Sequence, residues 1–510
     1  MRSNSSRQRS RILELEEAAR PLDPDAGERD RLMAEVHAYA QGFLSGLPER
    51  PAYQHDKSAV AKIRELGVGS DARSVERSLE RLIDRIDESV VGAGLVPSHA
   101  GHLGYIPGGG IYASSLADYL AAVTNEYAGV RFTGPGAVEM ENVVLGWMAR
   151  FTGYPATCAG NLASGGSIAS LIAVVTAREA AGLRARDYER AVVYSSSHLH
   201  HCLHKALRMA GVGEAVRRDV PLDGDFRMRA NALAELVAED RARGLRPWLV
   251  FASAGTVDIG AIDPLAAIAD VAEREDLWFH VDGAYGGFFG LLEEIRPALA
   301  GLERSDSLVL DPHKGMFLPY GTGAVLVRDG KALAEAHASG ASYLQDTVEA
   351  ERRGPSPAAV SPELTKHFRG LRVWLPLLLH GEGPFRACLR EKLELARYFH
   401  GRIEALRFEV GPEPQLSVVT YRWVPEFGDA NAFNRALVEE THRDGRIFLS
   451  STTIDGTVWL RMAALAFRTH LHTIDLALEV LAEAVERLAA HPERWRSAAR
   501  AEALAGGSGG

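Results

Sequence analysis

Cysteine and long apolar runs are scarce in this 510-residue chain. The three cysteines are widely spaced and odd in number, which argues against a disulfide framework and favours a reducing compartment. No apolar run reaches membrane-spanning length, and the basic N-terminus MRSNSSRQRSR has no apolar core behind it, as a secretory signal would. A formal net charge of −10 argues against nucleic acid and anionic membranes as partners. We therefore expect a cytoplasmic protein.

Lysine is scarce as well, and one lysine stands out by its position. Only seven of the 57 basic residues are lysine, and the rest are arginine. Arginine serves equally for charge pairing, but its guanidinium does not give up a proton to become a nucleophile. Lys314 follows the apolar run 307–310 and precedes a loop rich in glycine and proline. This strand-end position favours a functional lysine over the alternative, a surface lysine in a turn.

The length of the chain favours two or three domains. Residues 1–98 are charge-rich with helical periodicity, and we expect a helical segment whose first eleven or so residues are disordered. Residues 99–384 alternate strand and helix patterns and predict a large α/β domain with a mostly parallel sheet. Residues 385–500 predict a small α+β domain, and the Gly-rich tail 501–510 predicts disorder.

Short apolar segments predict five strands in the large domain, at 191–194, 248–252, 277–281, 307–310 and 324–328. In an open α/β sheet, ligands bind beyond the carboxyl ends of the strands. The residues to inspect therefore follow the first four strands, at 195–201, 253–258, 282–287 and 311–314.

Asp282 ends the third of these strands, in the motif HVDGAYGG. A carboxylate at the end of an apolar strand is costly unless it meets a cation. The small residues Gly283 and Ala284 that follow it leave room for a flat ligand. A turn or helix-capping aspartate explains the motif equally well when it is taken alone.

The segment NLASGGSIASLIAVVTARE (161–179) is a Gly-Gly turn that opens an amphipathic helix. The free N–H groups of such a helix start, with the hydroxyl groups of Ser164 and Ser167, suit a phosphate. The signal is weak by itself, because many Ser and Gly pairs only cap helices. Neither the P-loop pattern nor the three-glycine dinucleotide pattern is present.

Histidines are concentrated in SSSHLHHCLHKA (195–206). His200 and His204 are four residues apart and suit one face of a helix, as metal ligands do. No HExxH glutamate or paired cysteine accompanies them, so we expect no metal. An imidazole stacked on a planar cofactor is the better functional interpretation.

A strand-end lysine, a strand-end aspartate and a phosphate anchor are requirements of pyridoxal phosphate, on which a histidine can stack. DPHKG (311–315), HVDGAYGG (280–287), the Ser/Gly turn and the segment with His200 together resemble the pyridoxal-phosphate-dependent amino-acid decarboxylases of the aromatic-L-amino-acid decarboxylase type. The resemblance runs from about His99 to His472. It implies the aspartate-aminotransferase-type fold of pyridoxal-phosphate-dependent transferases, pyridoxal 5'-phosphate as cofactor, and a homodimer across which the N-terminal segment packs.

The resemblance also implies roles for individual residues. Lys314 would attach the cofactor, Asp282 would pair with its ring nitrogen, and His200 would stack on its ring. Tyr343, in ASGASYLQDTVEAERRGPSP, would donate a proton to the substrate carbon. The implied cofactor-binding residues are Gly166, Ser167, His200, Thr256, Asp282, Ala284, Asp311, His313 and Lys314. The implied substrate-binding residues are His102, Tyr105, Pro107 and Tyr127.

Three departures from the family pattern bear on the substrate. Val257 replaces the second hydroxyl residue of a Gly-Thr-Thr sequence, and Gly108 stands where animal members carry a hydroxyl residue. Gly129 and Arg131 stand where enzymes for aromatic substrates tend to carry aromatic residues. Since Arg131 could attract an acidic side chain, the identity of the substrate stays open.

The implied reaction converts an L-amino acid into its amine and CO2, with an aromatic amino acid favoured. The alternatives are a decarboxylase of an acidic or diamino acid, an oxidative deaminase that yields an aldehyde, a lyase acting on a cysteine derivative, and a non-catalytic protein with the same fold. Tyr343 argues against the aldehyde, since a phenolic proton donor favours simple protonation. The combination of Lys314, Asp282 and His200 argues against a non-catalytic protein.

Overall fold

The computed structural model describes residues 2–55, 58–66, 78–337, 356–493 and 495. The chain divides into two compact units between Val96 and Pro97. Within the described ranges, none of the helices combines the length and the apolarity that a membrane crossing requires.

The α-helices are numbered in chain order. Those that the described residues form are α1 (Arg2–Ala19), α2 (Ala26–Ser45), α3 (Ala59–Leu66), α4 (Leu79–Ile86), α5 (Tyr112–Thr124), α6 (Pro135–Thr152), α7 (Gly166–Ala180), α8 (His201–Met209), α9 (Ala230–Ala242), α10 (Leu265–Arg274), α11 (Pro312–Gly315), α12 (Gly330–His337), α13 (Gly370–His380), α14 (Gly383–Ala405), α15 (Ala430–Asp444) and α16 (Leu471–Ala490).

The strands belong to two sheets. They are β1 (Ala159–Ala163), β2 (Ala191–Ser195), β3 (Val216–Asp219), β4 (Arg246–Ser253), β5 (Trp278–Asp282), β6 (Ser307–Leu310), β7 (Gly323–Val327), β8 (Glu409–Val410), β9 (Val418–Arg422), β10 (Ser450–Ile454) and β11 (Thr457–Ala463).

The N-terminal unit is helical, as its periodicity predicts. Helix α1 covers the residues for which we expected disorder. Arginine, glutamine, leucine and glutamate are good helix formers, and ion pairs such as that between Arg11 and Glu14, 3.2 Å apart, add local support. Every described side chain of α1, from residue 6 onward, is exposed.

The N-terminal unit leaves much of its apolar surface uncovered. Within the unit, Asp87 accepts hydrogen bonds from the Tyr39 hydroxyl at 2.8 Å and from Arg50 at 2.9 Å. Large apolar side chains nevertheless remain exposed on all of its helices. They are Ile12, Leu13, Leu15, Leu22, Met33, Val36, Ile63, Leu82, Ile86 and Val90.

The larger sheet has seven strands in the order β1-β7-β6-β5-β4-β2-β3. The pairs β6–β5, β5–β4, β4–β2 and β2–β3 are parallel, whereas β7 runs antiparallel to both β6 and β1. All five predicted strands are present, with ends that differ by two residues at most. The predicted fold class, a mostly parallel sheet with helices, is confirmed.

The smaller sheet is antiparallel, in the order β10-β11-β9-β8, and has a core of its own. The predicted boundary at 384 does not separate the two cores. Phe385 and Leu389, on the first turns of α14, pack in the core of the larger sheet, while Phe399, on the same helix, packs in the smaller one. Leu103 also belongs to the smaller core. One 23-residue helix therefore joins the two layers into a single compact unit.

Candidate active site

Four strands of the larger sheet end at one cavity of about 310 Å³. The ends of β2, β4, β5 and β6 lie side by side because these strands are parallel neighbours. All nine residues that the family resemblance implies as cofactor ligands line this cavity. The structure therefore brings together residues that span 149 positions of the sequence, from Gly166 to Lys314.

Lys314 lies on α11, a single turn that directly follows β6. Its Nζ atom is 3.1 Å from Asp311 Oδ2, and its side chain is largely buried. Burial alone would lower the pKa of the Lys314 amine, but the Asp311 and Asp282 carboxylates outweigh burial and raise it above its ordinary value. Lys314 is therefore an ammonium ion paired with Asp311.

The first turn of α7 lies directly against Asp311. A Cβ atom on Gly166 would lie 2.9 Å from Asp311 Oδ2, so only glycine allows this approach. The first N–H groups of an α-helix have no acceptor within the helix and favour an anion. This end of the cavity, with Ser164 and Ser167 beside it, suits a phosphate.

Asp311 itself is only partly satisfied. Its side chain is buried, and its Oδ1 atom has no hydrogen-bond donor among the described residues. His313 Nδ1 lies 2.7 Å from the Thr322 carbonyl and donates to it, which leaves Nε2 3.8 Å from Asp311 Oδ2. A buried acceptor without a donor is costly, so Asp311 indicates a place where a ligand completes the site.

Asp282 and His200 face the middle of the cavity. Asp282 ends β5, and its Oδ1 atom accepts a hydrogen bond from Ala284 N at 3.1 Å. His200 caps α8, where its Nδ1 atom accepts from Cys202 N at 3.3 Å. Burial lowers the pKa of His200, Asp282 opposes the shift, and the charge of Lys314 adds to it. The arrangement favours a neutral imidazole beside a strand-end carboxylate.

The comparison with known families identifies the family of the chain. A model described as the pyridoxal-dependent decarboxylase conserved domain matches residues 71–424. The chain belongs to this decarboxylase family. Its cofactor is pyridoxal phosphate, its reaction is the decarboxylation of an amino acid, and its enzyme class is carboxy-lyase, all as predicted.

Relatives among the pyridoxal-dependent decarboxylases cover most of the chain. An aromatic-L-amino-acid decarboxylase of Bacillus atrophaeus is 33% identical over 395 residues, which are 76% of this chain and 82% of the relative. A phenylacetaldehyde synthase of Arabidopsis thaliana is 28% identical over 74% of this chain and 80% of its own length. Among solved structures, a TDC of Oryza sativa with PLP and tryptamine superposes with a TM-score of 0.85 at 24% identity, covering 91% of this chain and 99% of the other.

The chemical groups around the cavity fit the cofactor of the decarboxylase family. The Lys314 amine, the Asp282 carboxylate at a strand end and the first turn of a helix, whose N–H groups could receive an anion, line one cavity. Among the described residues, no group of three or more His, Cys, Asp or Glu side chains is arranged to hold a metal ion.

Three further residues line the decarboxylase cavity, and no role was inferred for them from the sequence. His198 places its Nδ1 atom 3.5 Å from Asp258 Oδ2. Cys202 donates its backbone N–H to His200, and burial raises the pKa of its thiol to about 12. The Tyr285 hydroxyl contacts Ser417 Oγ at 2.9 Å and so reaches the smaller layer. All three residues lie in the two sequence motifs that contain Asp282 and His200, and this proximity was the sequence signal for them.

None of the four implied substrate-binding residues lines the cavity in the described part of the chain. His102 is 1% exposed, because it packs edge-on against the Phe448 ring. Tyr105 is 59% exposed and also meets Phe448. Pro107 is buried, and the Tyr127 hydroxyl donates to the Leu364 carbonyl at 3.3 Å.

Gly108 and Arg131 are two of the departures from the family pattern, and both are in described parts of the structure. A Cβ atom on Gly108 would lie 2.0 Å from the His313 carbonyl oxygen, so a larger residue does not fit beside the lysine turn. Arg131 pairs with Glu139 at 3.0 Å and lines a different cavity. Tyr343 lies outside the described residues.

Proposed function

We propose that this decarboxylase acts on an L-amino acid with an aromatic side chain and yields the corresponding amine. The observation that carries the proposal is the charge of the cavity wall. Among the described residues that line this cavity, Lys314 is the one lysine or arginine. Arg131 does not line it and is paired with Glu139. A substrate with a second carboxylate would find no arginine there, and relatives named for aromatic substrates support the same choice.

The residues that hold the cofactor follow from the chemistry of the cavity. We infer that Lys314 attaches pyridoxal phosphate, that Gly166 and Ser167 bind its phosphate, and that Asp282 keeps its ring nitrogen protonated. Bound there, the cofactor accepts the electron pair that the departing CO2 leaves behind. Asp282 assists because a carboxylate near the ring nitrogen stabilises a protonated ring, which is the better electron acceptor.

The remaining roles concern orientation and proton transfer. A neutral His200 suits a stacking position, since an uncharged imidazole does not oppose a protonated ring. Ala284 and Thr256 complete the wall, and Asp311 and His313 lie at the phosphate end. We infer that Tyr343 delivers the proton to the substrate carbon after CO2 has left, as a phenol can in general acid catalysis.

A panel of L-amino acids tests the substrate assignment. We expect CO2 release from L-tryptophan, L-tyrosine, L-phenylalanine or L-dihydroxyphenylalanine, with the amine as the product seen by chromatography. Equal or greater rates with L-glutamate, L-aspartate or L-2,4-diaminobutyrate would overturn it. Pyridoxal phosphate should be present in all reactions, so that differences in cofactor content do not bias the comparison.

A second candidate function is oxidative deamination coupled to decarboxylation, since a phenylacetaldehyde synthase is among the relatives. This reaction consumes dioxygen and yields an aldehyde, ammonia and peroxide instead of the amine. Tyr343 supports the amine, because a proton donor at the substrate carbon competes with dioxygen. Equal rates of amine and CO2 formation in air would exclude the second candidate, whereas stoichiometric peroxide would establish it.

We also propose a homodimer located in the cytoplasm. The exposed apolar residues of the N-terminal unit support an interface with a second copy, because a monomer would leave them in water. The three cysteines are free, which suits a reducing compartment. Light scattering should give twice the mass of the chain, and a stable, fully active monomer would contradict the proposal.

A further inference from the structure

Asp311 places a negative charge where the cofactor is expected to place another. Its carboxylate lies against the first turn of α7, and its Oδ1 atom has no donor among the described residues. A phosphate ester carries close to two negative charges at pH 7, since its second pKa is about 6. A carboxylate and a phosphate dianion are both acceptors only, so they repel each other at hydrogen-bond distance.

The charged groups around Asp311 do not remove this conflict. Lys314 is its nearest cation, and His313 lies on the same turn at 3.8 Å. Asp282, on the neighbouring strand β5, is a second carboxylate, and it also raises the pKa of Lys314. His200, just before α8, has a pKa that is lowered mainly by burial. Helix α7 has no acidic side chain in its first turn. The Lys314 ammonium therefore already faces two carboxylates, and one negative charge is left unbalanced before a phosphate adds its own.

We propose that Asp311 makes phosphate binding proton-linked: the phosphate of the cofactor binds at this end of the cavity together with one proton, which is shared with the Asp311 carboxylate. A protonated carboxyl group has an O–H donor, so the unpartnered oxygen of Asp311 becomes the donor that a phosphate oxygen needs. Asp311 is thus a positioning residue whose charge state sets the affinity for the phosphate.

This inference rests on the placement of the phosphate at Gly166 and Ser167 that is proposed above. The experiment compares pyridoxal phosphate with pyridoxal, which lacks the phosphate. Both aldehydes form the same bond to Lys314, so the ratio of the pyridoxal Kd to the pyridoxal phosphate Kd isolates the contribution of the phosphate. The ratio is measured by equilibrium dialysis of the cofactor-free protein between pH 6.5 and pH 8.5.

In the wild type, the ratio should fall about tenfold for each pH unit above roughly pH 7, as the uptake of one proton requires. In Asp311→Asn, an amide N–H replaces the proton, so the ratio should stay constant over this range and exceed the wild-type ratio at pH 8.5. Equal pH profiles for the two proteins would overturn the proposal. So would a profile that is flattened by His313→Gln but not by Asp311→Asn.

Two control variants separate the possible failures. Asp306→Asn removes a partly buried carboxylate just before the start of β6, where Asp306 accepts a hydrogen bond from Phe279 N at 2.7 Å. This variant should keep the wild-type profile. Ser167→Ala should lower the ratio at every pH. If Ser167→Ala has no effect, the placement of the phosphate is wrong. If Ser167→Ala lowers the ratio but Asp311→Asn leaves the pH profile unchanged, the phosphate is placed correctly and the proposed proton linkage is wrong.

A measurement on the wild type keeps the proposal testable if Asp311→Asn does not fold. Calorimetric titration at pH 8 in two buffers with different ionisation enthalpies counts the protons taken up on binding. Pyridoxal phosphate should take up close to one proton more than pyridoxal. Equal proton counts for the two compounds would overturn the proposal.

Discussion

The two sides of the active site are built in different ways. The cofactor side is formed by the ends of β2, β4, β5 and β6 and the start of α7, and every residue implied for it lines the cavity. The proposed substrate side, at residues 102–131, contributes none of its four implied residues to that cavity in the described part of the chain. His102, Tyr105 and Tyr127 instead contact Phe448 or Leu364.

The difference teaches that the ends of parallel strands and the loops at residues 102–131 are positioned by different kinds of packing. The carboxyl ends of parallel strands lie at one edge of the sheet independently of the loop conformations. The position of the cofactor side therefore follows from the topology of the sheet. The substrate side depends on loops, whose positions are set by distant packing partners. Substitutions on the first side should therefore abolish or redirect the chemistry, and those on the second should change affinity or stability.

The largest effect is expected for Lys314→Ala. Removal of the amine proposed to attach the cofactor should lower decarboxylation by about four orders of magnitude or more, because no other described residue that lines the cavity carries an amine. Rates of CO2 release measure the loss, and borohydride reduction of the wild type followed by peptide mapping should label Lys314. The exposed Lys331→Ala serves as the control and should keep full activity. A label on any other lysine would disprove the role of Lys314.

The next effect is expected for Asp282→Asn. This variant keeps the shape of the strand end but loses the negative charge, and turnover should fall about a thousandfold while the protein still binds the cofactor. Turnover and bound-cofactor absorbance are measured on the same sample. Asp306→Asn, just before the neighbouring strand, should leave both unchanged. A variant at Asp282 with near-normal turnover would show that another carboxylate acts on the ring nitrogen.

A smaller effect, but a change of product, is expected for Tyr343→Phe. Loss of the phenolic hydroxyl should reduce amine formation by about a hundredfold, because a general acid is missing. Aldehyde, ammonia and peroxide should then become detectable in air. Product analysis by chromatography and a peroxide assay measure both outcomes. If the variant forms amine at the wild-type rate, the proton comes from another group, with His200 as the next candidate.

The smallest effect on activity is expected for His102→Gln, which tests the substrate side. Burial lowers the pKa of His102 to about 4 from an ordinary 6.5, so the folded protein keeps this imidazole neutral. The unfolded chain binds a proton between these values, and the contribution of His102 to stability is therefore present above pH 6.5 and lost as the pH falls toward 4.

The free energy of unfolding of wild type and His102→Gln should accordingly differ less at pH 5 than at pH 7, by about 2 kcal/mol. Urea unfolding at the two pH values measures this difference. The KM and kcat for the best substrate should change less than threefold. A large rise in KM with no change in the pH dependence of stability would instead place His102 at the substrate.

The sequence predicted the cofactor side better than the substrate side for physical reasons. Apolar runs ended by polar residues mark strand ends, and parallel order places such ends at one edge. The short strands β1 and β3 were not predicted, because AGNLA contains glycine and asparagine and VRRD is an alternating, charged edge strand. The positions of Tyr105 and His102 depend on Phe448, more than 340 residues later, which no local pattern reveals.

The pairing of β1 with β7 also has a consequence during synthesis of the chain. Ala163 and Gly323 are register partners that lie 160 residues apart, and in the described sheet β1 has β7 as its neighbour. At about 5–20 residues per second, a ribosome needs roughly 8–32 s to deliver β7 after β1. During this interval β1 has unpaired N–H and C=O groups, which makes it open to wrong pairing. We therefore expect nascent chains arrested before residue 323 to need chaperone protection, and chains released after residue 327 to have the larger sheet complete.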